Sequence, residues 1–164
     1  MVLRKTKMTV NATNQKPVPA VRPPYLFGWA LAAGLLFNWL KPLSLFRTRP
    51  PGIVFGLALM AVGVGLLLWT TRTLLRSGVN PRFKPVGSMV TSGPFVFARN
   101  PMYISFALVY LGIAFAANAL WPILFLPPVI AILHYGVIRR EEKYLEERFG
   151  DEYRKYKAGV RRWF

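Results

Sequence analysis

The sequence has no cysteine, a single histidine (His134) and, over its first 140 residues, no aspartate or glutamate. Without cysteine there can be no disulfide, thiolate metal site or cysteine nucleophile, and no metal centre is expected. All six acidic residues fall between positions 141 and 152. No long apolar segment therefore carries the intramembrane carboxylate with which a four-span cation exporter would bind cation and proton.

What the sequence does have is apolar and basic. It is 54% hydrophobic and 15% aromatic over 164 residues, yet 22 Lys and Arg against 6 acids give a net charge of +16. Long uncharged runs argue against a nucleic-acid binder, although such proteins are also basic. Apolar residues in lipid and basic residues at the membrane surface reconcile the two features. The expected class is an all-α, polytopic membrane protein with about four transmembrane helices and a cytoplasmic C-terminal helical segment.

Residues 1–24 are polar, basic and rich in Thr, Asn and Pro, and are expected to form a flexible arm. No small-residue cleavage site follows the first apolar run, so the arm is not expected to be a signal peptide. The transmembrane domain is expected over residues 25–138, with spans at about 25–46, 52–71, 101–117 and 120–138. Trp29 and Trp39 are placed as interfacial anchors of the first span. In the second, Gly52 and Gly56 form a small-x-x-x-small pair suited to close helix packing. Gly63 and Gly65 would either do the same or leave room for a ligand. Between the second and third spans, loop 72–99 contains five basic residues, no acid, and Pro81, Pro85, Gly87 and Gly93. A loop of this length in so small a protein is expected to be functional, and its apolar residues suggest a partly ordered lid. Asn118-Ala-Leu-Trp-Pro122 marks a tight turn, and Pro127-Pro128 should kink the last span. Residues 139–164 are soluble in character, with apolar and aromatic side chains at helical spacing, and Asp151 is placed to cap a second short helix after Gly150.

With four spans, the arm, the 72–99 loop and the C-terminal segment share one side and hold 19 of the 22 basic residues. The positive-inside rule puts that side, with both termini and the active site, in the cytoplasm.

Two polar clusters bracket the last helical hairpin at that face. Arg99-Asn100-Pro101 opens the third span, with Asn suited to an N-cap and Pro to the first helical position. A helix N-terminus beside an arginine also attracts anions. Glu141-Glu142 closes the fourth span. Read as structure alone, these are a helix start and two carboxylates paired with Arg139, Arg140 or Lys143. Read together, they suit a zwitterion, with Phe95, Phe97, Tyr103 and Tyr144 near enough in sequence to flank a cation.

The run GPFVFARNPMY, followed after the hairpin by EEKYLEERFGDEYRKYKAGVRRW, resembles the isoprenylcysteine carboxyl methyltransferase and phospholipid methyltransferase superfamily. The resemblance rests on Arg99-Asn100-Pro101-Met102-Tyr103, Glu141-Glu142 with Leu145, Phe149-Gly150, Tyr153 with Tyr156, and Val160-Arg161-Arg162. It covers about the last 70 residues, and the first 90 match only in character. It implies an integral membrane enzyme that moves a methyl group from S-adenosylmethionine to a lipophilic acceptor, such as an isoprenylcysteine-like carboxylate, a lipid amine or a thiol. By position, Arg99, Asn100, Pro101, Tyr103, Glu141, Glu142, Tyr153 and Tyr156 would hold the cofactor, and Arg162 would help close the site. Asn100 stands where carboxyl methyltransferases usually have His, and Ser105 where Gly often follows. A weakened form of the motif recurs in NADPH-dependent membrane sterol reductases, which leaves a reductase as the alternative enzyme and a non-catalytic scaffold as the alternative class.

Methyl transfer is an in-line displacement, so the protein's task is alignment and exclusion of water. His134 lies seven residues before Glu141, about two α-helical turns, and is either a base or a packing residue. Arg162 or Arg99 would hold an acceptor carboxylate. The acceptor, and the oligomeric state, are not legible in the sequence.

Overall fold

The fold is seen in a computed structural model that describes residues 22–78 and 89–163. Most of the N-terminal arm (1–21), and residues 79–88 of the expected lid with Val79, Phe83 and Val86, lie outside the described residues. The described residues form helices without strands: α1 (Pro23–Leu40), α2 (Arg49–Arg76), α3 (Pro101–Ala116), α4 (Leu120–Leu133), α5 (Arg139–Phe149) and α6 (Asp151–Gly159). A 3₁₀ turn (Gly93–Val96) precedes α3, and a π turn (His134–Ile138) joins α4 to α5. Two helices are long and apolar enough to cross a membrane: the bulk of α2, and the continuous 30-residue rod Leu120–Phe149. The α3 helix is apolar but shorter, at 16 residues.

Three boundaries differ from expectation. Helix α1 ends at Leu40 rather than near residue 46, because Pro42 drives the preceding Lys41 out of helical geometry (φ −135°, ψ 84°). Helix α2 runs on to Arg76 rather than Thr71, since Arg72 and Arg76 are good helix formers. Its end is marked by Gly78 in the left-handed region (φ 70°). At the start of α6, Gly150 (φ 53°) is the N-cap, and Asp151 sits inside the first turn beside Arg154, 3.2 Å away.

The glycines of α2 serve helix packing. A Cβ on Gly56 would strike the Gly112 carbonyl oxygen of α3, and one on Gly52 would come within 2.8 Å of the Phe115 carbonyl. Gly63 likewise faces Val109 and Leu108, whereas Gly65 faces open space. This close approach of backbones makes α2–α3 the most extensive helix pair. Helix α1 packs instead on α4: Gly34 lies against Pro122, and Phe37 stacks on Trp121 and Phe125 at 5.7 and 5.6 Å. Between the two pairs lies a core of Phe27, Tyr103, Tyr110, Val129, Leu133, Val137 and Ile138. Trp29 and Trp39 remain largely exposed, at 75% and 77%.

At the end away from the polar clusters, the 41–48 connection is stitched to the α3–α4 turn. Asn118, in the left-handed conformation (φ 53°), accepts from the backbone N–H of Leu45 (3.0 Å) and of Phe46 (2.8 Å). Its amide donates to the Phe46 carbonyl at 3.0 Å. Leu120 N–H and Trp121 Nε1 donate to the carbonyls of Leu43 and Lys41. Asn118→Ala would orphan two backbone N–H groups and place a β-carbon without compensation at positive φ. It is expected to destabilise the protein by about 2 kcal/mol in denaturant titrations of the micellar protein, leaving the remote polar site unchanged.

Candidate functional site

The hairpin α3–α4 carries both polar clusters to one end, where the C-terminal segment folds back over them. The rod from Leu120 would have brought Glu141 onto the face of His134 had it been regular α-helix throughout. The π turn accommodates one additional residue. The residue in register with His134 is then eight positions on, Glu142, rather than seven.

Glu142 is buried (7% exposed) and meets two guanidinium groups. Arg162 forms a bidentate pair with it, Nε to Oε1 at 2.8 Å and Nη2 to Oε2 at 2.7 Å. Arg99 Nη1 stands 3.2 Å from Oε1. That second contact is of charge rather than direction: neither Nη1 nor Nε of Arg99 makes a hydrogen bond among the described residues, although both are buried. The expected partners Arg139 and Arg140 do not pair with Glu142, and Lys143 lies 3.8 Å from Glu147 instead. Burial alone would raise the Glu142 carboxyl pKa; the Arg162 hydrogen bond and the charges of Arg99, Arg162 and Lys157 outweigh it and hold it below the ordinary carboxylate value. The same hydrogen bond raises the Arg162 pKa.

Arg162 also reaches His134, with Nη1 3.2 Å from Nε2. A guanidinium only donates, so the imidazole Nε2 accepts and its proton sits on Nδ1. His134 therefore has a partner in Arg162, and neither of the two lines the cavity described below.

The C-terminal residues are zipped to the start of α3. The Arg99 N–H donates to the Arg161 carbonyl at 3.0 Å, and the Asn100 side-chain amide to the Arg162 carbonyl at 3.4 Å. Asn100 thus occupies the N-cap position of α3 but spends its side chain on the tail rather than on the helix. Tyr156 donates its hydroxyl to the Phe95 carbonyl at 2.7 Å, which anchors α6 on the 3₁₀ turn. Burial, with neighbouring Tyr153, pushes the Tyr156 pKa up to about 12 against the opposing charge of Arg99. Burial and then Glu142 also raise the Tyr153 hydroxyl, which rests against the Arg99 guanidinium.

Under this segment lies an open cavity of about 220 Å³. Its polar wall contains Arg99, Asn100, Pro101, Tyr103, Glu141, Glu142, Tyr153 and Tyr156, so the eight residues singled out for the cofactor come together at one place. Tyr103 donates to Glu141 Oε2 at 2.9 Å, tying the first turn of α3 to the start of α5. The apolar wall comes from Leu74, Met89, Val90, Met102 and Leu145, with Phe95 and Tyr144. Leu74 carries no chemical signal in the sequence, whereas Met102 and Leu145 belong to the stretches that carry the resemblance. Phe97 is absent from the cavity: it is 70% exposed and leans on Trp69, with ring centroids 6.3 Å apart.

A sequence model of the family described as phospholipid methyltransferase matches residues 51–152. The chain belongs to the phospholipid methyltransferase family. The family is one of membrane methyltransferases, in keeping with the two long apolar helices. The matched stretch takes in Arg99–Tyr103 and Glu141–Glu142 and stops before Arg162. An uncharacterized protein of Haemophilus influenzae (strain ATCC 51907 / DSM 11121 / KW20 / Rd) is 59% identical over 34 residues, 21% of this chain and 54% of that protein. The chain thus spans about half the length of that curated relative. No solved structure matches.

Proposed function

We propose that the protein transfers a methyl group from S-adenosylmethionine to a lipophilic acceptor, and that the cavity at Arg99 receives the cofactor's amino-acid end. The observation that carries this reading is the pair of unpartnered donors on Arg99. Its Nε and Nη1 are buried without a hydrogen-bond partner among the described residues. An orphaned buried donor costs about 1–3 kcal/mol, and more when charged, unless a ligand completes it. The two donors lie on different edges of the guanidinium, so a ligand carboxylate can complete one of them at a time.

The rest of the wall suits the remainder of that end. Glu141 and Tyr103 offer partners for an ammonium group or a ribose hydroxyl. Tyr144, Tyr153 and Phe95 present rings to a sulfonium. Glu142 has both oxygens engaged by Arg162 and serves to hold the arginines rather than to reach the ligand. At about 220 Å³ the cavity fits part of the cofactor rather than all of it, since whole sites for drug-sized ligands run to roughly 300–1,000 Å³.

When bound, S-adenosylmethionine supplies a methyl group already activated by its positive sulfur. The chain's own residues orient and exclude water. The apolar wall of Leu74, Met89, Val90, Met102 and Leu145 would keep the reacting centre dry and admit a greasy acceptor. A carboxylate or thiolate acceptor releases no proton. An amine or thiol releases one, and Glu141 is the cavity carboxylate placed to receive it, because His134 already accepts from Arg162 through Nε2. In the bilayer, α1 and α3 would complete four spans with α2 and the apolar part of the Leu120 rod. The clustered basic residues put the cavity, α5 and α6 on the cytoplasmic side.

Titration of the purified protein in nanodiscs tests the reading. S-adenosylmethionine and S-adenosylhomocysteine are expected to bind, and NADPH not. Binding of NADPH alone would move the protein to the reductases, and binding of none would leave Arg99 and the glutamates as a structural ion cluster.

A further inference from the structure

We infer that Arg162 is a positioning residue that keeps Glu142 from saturating Arg99, so that the unpartnered donors of Arg99 stay available to an anionic ligand. This rests on the reading of the cavity given above and adds how its anion site is kept available.

The geometry sets up a competition. One buried carboxylate faces two guanidinium groups, each able to take both of its oxygens. Arg162 takes both, at 2.8 and 2.7 Å. Arg99, although 3.2 Å from Oε1, is left with a contact that satisfies charge but not direction, and its Nε and Nη1 remain without hydrogen bonds. An arginine side chain only 10% exposed would otherwise be expected to close on the nearest carboxylate.

Three further contacts hold Arg162 in the winning position. His134 Nε2 accepts from its Nη1 at 3.2 Å, and its backbone carbonyl accepts from the Asn100 amide at 3.4 Å. The preceding Arg161 carbonyl accepts from the Arg99 N–H at 3.0 Å. Each contact comes from a different element: the π turn, the α3 N-cap and the backbone of Arg99 itself. Two cations against one anion also leave the cluster with a net positive charge, which a ligand carboxylate would neutralise. Removing Arg162 changes both features. Glu142 can then swing fully onto Arg99, forming a neutral bidentate pair and taking up one of the donors that now lack a hydrogen bond.

The test is S-adenosylhomocysteine binding to the full chain in nanodiscs, by calorimetry, for wild type, Arg162→Ala, Glu142→Gln and the double variant. Arg162→Ala alone is expected to weaken binding by about tenfold or more, the loss of at least one hydrogen bond to a charged group. Adding Glu142→Gln should recover most of that loss, because the neutral amide no longer competes for Arg99. A residue that merely buttressed the fold would show no such rescue. A double variant as weak as Arg162→Ala overturns the inference while leaving the cofactor reading standing. Failure of the wild type to bind removes both. Should Arg162→Ala not fold, Arg162→Lys takes its place, since an ammonium cannot hold both Glu142 oxygens: weaker binding that Glu142→Gln relieves supports the competition, and unchanged binding or a loss that Glu142→Gln leaves in place overturns it.

Discussion

Glu142→Ala is expected to be the most destabilising single change at the polar end of the molecule, lowering the unfolding free energy by about 3 kcal/mol or more. The substitution leaves Arg99 and Arg162, with side chains 10% and 27% exposed, facing each other without their shared anion. Breaking a buried ion pair by removing one partner typically costs about 3–5 kcal/mol, since the remaining charge is stranded. Here one deletion strands two. The measurement is unfolding in mixed micelles, with Glu142→Gln beside it as the milder variant that still accepts a hydrogen bond. The pH dependence has a definite sign. The Glu142 pKa is held below its ordinary value of 4.5, so its stabilisation is in full force above that value. It is lost as pH falls through the lower folded value. Acid unfolding should therefore lose its Glu142 component in the Gln variant.

Arg99→Ala separates binding from folding in the opposite way. Glu142 keeps its bidentate partner Arg162, so stability should change little. The cavity, however, loses the two donors that have no other partner. One hydrogen bond to a charged group amounts to roughly 1.5–3 kcal/mol, or about 10- to 100-fold in affinity for S-adenosylhomocysteine. Arg99→Lys should recover little of this, because a single ammonium cannot present a planar pair of donors. Wild-type affinity in Arg99→Ala would remove Arg99 from the ligand site altogether.

The helical class and the hairpin were legible because their signals are long and local. Thirty-eight residues without an acidic or basic side chain other than His134, interrupted at Asn118 and Pro122, specify two helices and a turn almost without tertiary information. The convergence of Arg99 with the Glu141–Glu142 pair followed from that hairpin alone. Which glutamate would meet the arginines did not. The sequence places the nearest cations on α5 itself, at Arg139, Arg140 and Lys143, whereas Glu142 faces Arg99 and Arg162, from the ends of two other segments. Nothing in helical periodicity signals a π turn, and periodicity alone puts His134 in register with Glu141. The reach of Asn118 also lay beyond local rules. Its left-handed backbone belongs to the turn, but its side chain serves a connection more than seventy residues earlier. Leu43–Phe46 look like an extension of the first span in sequence, but they belong to that connection, and α1 ends at Leu40.

The π turn at His134–Ile138 makes the distance between two landmarks a matter of counting. From the start of the rod at Leu120 to Glu142, side chains can be exchanged for others of similar volume while the two ends keep their relation. Dropping one residue there would let the turn relax to ordinary α-helix and keep Glu142, then seven positions after His134, on its face; a second deletion, with no extra residue left to absorb it, would rotate everything after it by about 100°, one residue's step around the axis. Glu142 would leave the two arginines, and another face of α5 would meet them. The segment is thus tolerant of spelling and of the loss of the one residue the turn takes up, and intolerant of any further change in length, so longer insertions or deletions inside it should be far rarer among functional variants than substitutions.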